Sequence, residues 1–198
     1  MTQIVWDGRF LVADRKCFRG VTVFPSQKLR IKQEQDKSIA FAFAGSYEEC
    51  NIADKIMLAE ESDDLIESAK SILTDPATNW QGICVDTKRG QSPAVSVCNY
   101  LGMREPLPTE QFFAVGACSD EIIFAYNTWR AIAKKLDVPA HALFITENAV
   151  IGDEILTSKQ QAQALVNFLR TVLKGTYYDQ EGYLFDVYDS ITGEVLCL

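Results

Sequence analysis

Residues able to do nucleophilic, acid–base or metal chemistry are few in this chain. There is a single histidine, His141, and there are six cysteines, at positions 17, 50, 84, 98, 118 and 197. No two cysteines form a CxxC pair and His141 cannot join them at a zinc-ligand spacing, so no metal site or cofactor is expected. Cys17 and Cys118 have no histidine partner, which leaves papain-like thiol chemistry without a base. The cysteines read instead as small hydrophobes of a reduced chain. One hydroxyl stands in an unusual place, because Thr2 directly follows Met1. Taken alone it is a second residue like any other.

The elements that would have to position such groups follow from composition and pattern. The chain has 198 residues, 47% of them apolar, with 27 acids against 19 bases and a net charge of −8. That balance argues against a nucleic-acid or anionic-membrane binder, either of which needs a basic stripe. No apolar run is long enough to cross a bilayer, and no charged segment followed by an apolar one marks the start as a secretion signal, so a cytoplasmic protein is expected. Without a linker, repeat or low-complexity stretch, residues 1–198 read as one domain.

Strands are expected over 2–6 and 9–13, joined at Asp7-Gly8, a pair suited to the positive φ of a tight hairpin turn. Counted from that turn, Thr2 faces Ala13 and Asp14 falls on the opposite parity, so a bulge or strand end must intervene for the two to meet. Further strands are expected over 26–31 and 39–44. Ser46 with Glu49 forms a capping box that opens a helix, and Ser62 caps a second one that closes at Pro76. A three-strand meander is read over 80–87, 94–100 and 111–116, followed by helices over 121–135 and 158–173. Residues 137–156 are ambiguous, apolar enough for a helix but interrupted by Pro139 and Gly152. A terminal hairpin over 183–188 and 194–198 turns at Ile191-Thr192-Gly193. The order implies an α+β fold, a four-layer α/β/β/α sandwich of two antiparallel sheets flanked by helix pairs.

This order, with its threonine after the initiator methionine, resembles the N-terminal-nucleophile hydrolases, specifically the proteasome β-subunits and HslV-type bacterial peptidases. The resemblance covers nearly the whole chain in element order and is most specific in the first 46 residues. It rests on Thr2 opening a strand, on Ala13-Asp14 at the second strand, on Lys28-Leu29-Arg30, and on the small-residue turn Ala44-Gly45-Ser46. It implies that Thr2, freed of Met1, is both nucleophile and base, because its α-amine has a pKa near 8. By the same resemblance Lys28 lowers the hydroxyl pKa, Asp14 orients that lysine, and the Gly45 N–H serves the oxyanion.

Two positions depart from the family pattern. Gly116-Ala117-Cys118-Ser119 stands where many members have Gly-Ser-Gly, so Ser119 is either a shifted substitute for that serine or a helix N-cap. Two segments partly match the family's late acid-serine-glycine motif: Asp179 sits between helix and strand without the serine, and Asp189-Ser190 has the hydroxyl but lies in the last hairpin. Asp179 is preferred on position. The implied activity is a threonine peptidase that cleaves unfolded polypeptides through an ester intermediate. Homo-oligomeric rings and an ATP-driven AAA+ unfoldase are the implied partners. The alternatives are a small-amide hydrolase of the same superfamily and a non-catalytic structural or regulatory relative.

Overall fold

The computed structural model describes residues 2–19, 22–46, 50, 80–99, 104–137, 156–176, 179 and 182–198. Among them two five-stranded antiparallel sheets are built, with a separate two-stranded hairpin. The first sheet has the order β10-β1-β2-β11-β12, comprising Phe113–Gly116, Gln3–Trp6, Phe10–Asp14, Phe185–Asp189 and Val195–Cys197. The second runs β5-β6-β7-β8-β9: Leu29–Glu34, Lys37–Ala44, Gln81–Lys88, Ala94–Asn99 and Arg104–Leu107. The small hairpin pairs β3 (Lys16–Arg19) with β4 (Thr22–Pro25).

Alternation along β1 and β2 explains the layering. Ile4, Trp6, Leu11 and Ala13 point one way and join Leu29, Ala40, Ala42, Ile83 and Val85 in a core between the sheets. Val5, Phe10 and Val12 point the other way, into a core with the helices. Those helices are α1 (Ser119–Leu136) and α2 (Ser158–Leu173). Inward residues Ile122, Tyr126 and Trp129 of α1 meet Phe168 of α2, with the Trp129 and Phe168 rings stacked 5.0 Å apart. The outer face of the second sheet carries a smaller cluster of Phe41, Phe43, Trp80 and Cys84.

Helix α2 begins as its sequence requires, with Thr157 and Gln160 forming a capping box. Three expectations need correction. The strand expected last in the meander, near 111–116, crosses to the first sheet and pairs with β1, while β9 takes its place beside β8. Hairpin β3–β4 lies where no strands were expected. The β1–β2 turn is centred on Gly8-Arg9, because Asp7 Oδ1 accepts the Arg9 and Phe10 N–H groups at 2.9 and 2.7 Å. Ile4 therefore faces Ala13, and Trp6 faces Leu11. Of the helix expected after Ser46 only Cys50 is described, helical and with its N–H on the Ser46 carbonyl at 3.0 Å; the helix expected after Ser62, most of 137–156 and His141 lie outside the described residues.

Candidate active site

The end of the first sheet where β1 starts and β2 stops gathers the candidates. One residue beyond the Ile4–Ala13 pair, the Gln3 N–H donates to Asp14 Oδ1 at 3.1 Å. The same oxygen takes Lys28 Nζ at 2.5 Å, and Nζ also donates to the Lys16 carbonyl at 2.7 Å. Asp14 is fully buried and Lys28 nearly so. Burial pushes the Asp14 carboxyl above its ordinary value, and the Lys28 charge, the Lys28 hydrogen bond and the Gln3 N–H pull it back.

Backbone bonds deliver Lys28 to this place. Ser26 N–H donates to the Arg15 carbonyl at 2.7 Å, which draws the segment after β4 against the end of β2 before the chain enters the second sheet at Leu29. Arg15 is itself fixed, with its guanidinium on Asp186 and its N–H on the Leu184 carbonyl.

Thr2 is buried beside this pair, 6% exposed, and its carbonyl accepts the Ala117 N–H at 3.2 Å. Contact with the β10 end is close: a Cβ on Gly116, whose φ is +105°, would fall 1.8 Å from the Thr2 carbonyl oxygen and 3.5 Å from Ala44 Cβ. Only glycine fits there. Thr2, the end of β10 and the Ala44-Gly45 end of β6 thus share one end of the sandwich, with Gly45 exposed.

The remaining candidates stand as follows. Ser119 is the first residue of α1, and the N-cap is Cys118, in the left-handed conformation and without a side-chain capping bond. The residue that bonds Thr2 is Ala117. The Asp179 carboxylate accepts the Gly175 N–H at 2.8 Å and so closes the turn after α2. Its carbonyl accepts Lys16 Nζ, and the Lys16 carbonyl accepts Lys28, so the Asp179 loop is tied to the site through main-chain oxygens. Asp189, the other acid considered, is held by Arg9 through two bonds of 3.0 and 2.7 Å and by Ser158 at the start of α2. The Gln3 side-chain amide is one group the sequence reading missed: it is buried with neither polar atom partnered among the described residues. No signal in the sequence marks it.

An open cleft of about 1130 Å³ lies at the other end of the sandwich, between the β1–β2, β5–β6, β7–β8 and β11–β12 turns; Ser190 lines it, and Thr2, Asp14, Lys28, Gly45, Ser119 and Asp179 do not. Among the described residues no three His, Cys, Asp or Glu side chains cluster as metal ligands.

The two-sheet α+β fold has counterparts among solved structures, and it is similar to that of the Anbu proteins. Anbu from Hyphomicrobium sp. strain MC1 superposes with a TM-score of 0.61 at 14% identity, over 98% of this chain and 84% of that one. Anbu (ancestral beta-subunit) from Yersinia bercovieri gives 0.60 at 11% identity, over 100% and 86%. The helical assembly of the Anbu complex from Pseudomonas aeruginosa gives 0.60 at 9% identity, over 96% and 80%. No protein-family model and no curated protein sequence matches the chain.

Proposed function

We propose that this chain is a proteasome-like N-terminal threonine peptidase. The observation that carries the reading is the buried Lys28 ammonium, bonded to Asp14 at 2.5 Å, where Asp14 in turn holds the N–H of the residue after Thr2. A lysine so placed keeps a neighbouring amine neutral by like-charge repulsion and favours ionisation of a neighbouring hydroxyl. Once Met1 is removed, the Thr2 amine takes the hydroxyl proton and Oγ1 attacks a peptide carbonyl. The Gly45 N–H receives the oxyanion, the C–N bond breaks with protonation of the leaving amine, and water hydrolyses the resulting ester. Asp179 and Ser119 are proposed to support the site from its rim. Copies of the chain assemble, as the helical assembly in Pseudomonas aeruginosa does, and an AAA+ unfoldase supplies unfolded polypeptide in the cytoplasm. The proposed fold is completed by a second helix pair covering the Phe41–Trp80 face, making four layers.

A second reading, a non-catalytic relative, draws on Ala117: the residue that bonds Thr2 carries no hydroxyl where the resemblance expects serine. Intact mass before and after a β-lactone that acylates N-terminal threonine separates the two. The peptidase predicts loss of Met1 and an adduct that disappears in Thr2→Ala. Absence of an adduct on a freed Thr2 terminus favours the non-catalytic relative, and a preparation retaining Met1 is trimmed by an aminopeptidase before the probe is added.

A further inference from the structure

The second sheet brings two of the chain's six thiols into contact. Cys84 on β7 and Cys98 on β8 lie with their sulfurs 3.3 Å apart, either one able to donate its S–H to the other. Neither is in a disulfide. The strand ladder explains the meeting. Cys84 pairs with Ser96 and Cys98 with Gly82, which makes the two cysteines diagonal neighbours on the outer face of the sheet. Gly82 offers no side chain to compete with Cys98 for the place beside Cys84. A Cβ at Gly82 would fall 2.1 Å from Phe43 Cδ1, so the Phe43 ring lies on the bare glycine backbone from the β6 side.

The two thiols differ in access. Cys84 is fully buried, whereas Cys98 is half-buried at the edge of the Phe41–Trp80 cluster. A third thiol packed there, Cys50, donates to the Phe43 carbonyl at 3.5 Å, on the strand that lies across β7 from Cys98. The others belong elsewhere: Cys17 lies in β3, Cys118 is the N-cap of α1 and Cys197 lies in β12.

We propose that Cys98 and Cys84 are a peroxide-responsive pair, in which Cys98 reacts with hydrogen peroxide and Cys84 resolves the product as an intrachain disulfide. The Cys98 thiolate attacks one peroxide oxygen; the S–O bond forms, the O–O bond breaks, and the departing hydroxide takes up the thiol proton as water. The Cys84 sulfur then attacks the Cys98 sulfenic sulfur; the S–S bond forms, the S–O bond breaks, and a second water leaves with the Cys84 proton. Two thiols lose two electrons and one peroxide becomes two waters. Diagonal Cα atoms in a sheet are about 7–8 Å apart, at the far end of what a disulfide spans, so the bond is strained and a small thiol reopens it. The inference does not rest on the threonine chemistry, since its test counts thiols and not turnover.

The test is peroxide treatment of the folded full chain, alkylation of the remaining thiols in denaturant, and peptide mapping by mass. Trypsin cuts after Lys88, Arg89 and Arg104, so a Cys84–Cys98 bond joins two peptides that are otherwise separate. Expected are four alkylated thiols in place of six, the linked peptide pair, and a return to six once reduced glutathione is added to the folded chain. Cys84→Ser should leave Cys98 as a sulfenic acid that dimedone captures, and Cys50→Ser should leave the linked pair unchanged. Six alkylated thiols after treatment overturn the proposal, as does a bond to Cys50, a bond between two copies, or a Cys84–Cys98 bond that forms only in denaturant. A dimedone adduct on Cys84 in Cys98→Ser, with none on Cys98 in Cys84→Ser, overturns the order of attack. A bond that glutathione does not open in the folded chain overturns its reversibility.

Discussion

Asp14 holds two groups with one carboxylate oxygen, the Lys28 ammonium and the Gln3 N–H, so removing its charge has a structural as well as a chemical effect. Asp14→Ala leaves a buried ammonium with the Lys16 carbonyl but no counter-charge, and chemical denaturation is expected to show a loss of about 3–5 kcal/mol. Replacing both members of the pair by apolar residues should recover much of that loss while leaving Thr2 unreactive toward the β-lactone, which separates folding from chemistry. Asp189 offers a second, independent test. Burial would raise its pKa, but the Arg9 hydrogen bonds, the Ser158 hydroxyl, the Ile191 N–H and the Arg9 charge outweigh burial and hold it at about 2. Its folded value is below the unfolded one, so its contribution is complete above about pH 4 and is lost as pH falls toward 2. The contribution amounts to about 2 kcal/mol. Acid unfolding of Asp189→Asn should therefore show a shallower loss of stability across that window than the unaltered chain, from a lower starting stability at neutral pH.

At the level of elements, the contact between Gly116 and Thr2 makes the strand end of β10 a part of the site. Gly116→Ala places a methyl group 1.8 Å from the Thr2 carbonyl at a φ of +105°. Expected are a loss of more than about 2 kcal/mol and a β1 end displaced from β10, visible as chemical-shift changes at Thr2, Gln3 and Ala117. The Thr157 cap of α2 is far from those residues in the sequence, and Thr157→Ala should cost about 1 kcal/mol without moving their shifts. Much of this element set was legible in the sequence. The β1–β2 hairpin, α1, α2 and the final hairpin were found because alternation, helical spacing and caps agree with the tertiary fold there. The β3–β4 hairpin was not, since Lys16, Arg19 and Thr22 mix charge with apolar residues at no clear period. The destination of β10 was also hidden, because 111–116 has the local pattern of a meander strand and only packing against β1 decides its sheet. The hairpin turn was misplaced by one residue because the Asp7 carboxylate binds two N–H groups ahead of it, a side-chain effect that the Asp-Gly pair does not reveal. Among the candidate residues, Lys28 and Asp14 could be paired only through the resemblance; no spacing rule brings a loop residue after β4 to the end of β2.

Across the whole described molecule, the site sits where two cores meet. Ile4 and Ala13 belong to the core between the sheets, while Val5 and Val12 belong to the core beneath the helices, and Thr2, Gln3 and Asp14 continue the same two strands. Leu29, next to Lys28, is buried in the inter-sheet core from the other side. Opening the Lys28–Asp14 pair therefore requires either strand ends to leave two cores or the second sheet to separate from the first. Strand β4 of the small hairpin belongs to neither core, with Thr22, Val23 and Pro25 all exposed. Native-state hydrogen exchange follows from the difference. The Gln3 amide, although its acceptor is a side chain, should exchange with the same free energy as the amides of β1 and β2, near that of global unfolding. Amides of β4 should exchange by local opening at much lower free energy. In Ile83→Ala, which empties part of the inter-sheet core at a cost of about 2–5 kcal/mol, Gln3 and the β1 amides should speed up together while the β4 amides keep their rate. If Gln3 instead exchanges with β4 in the unaltered chain, the end of the first sheet frays independently, and the lysine–carboxylate pair is not held by the cores on either side of it.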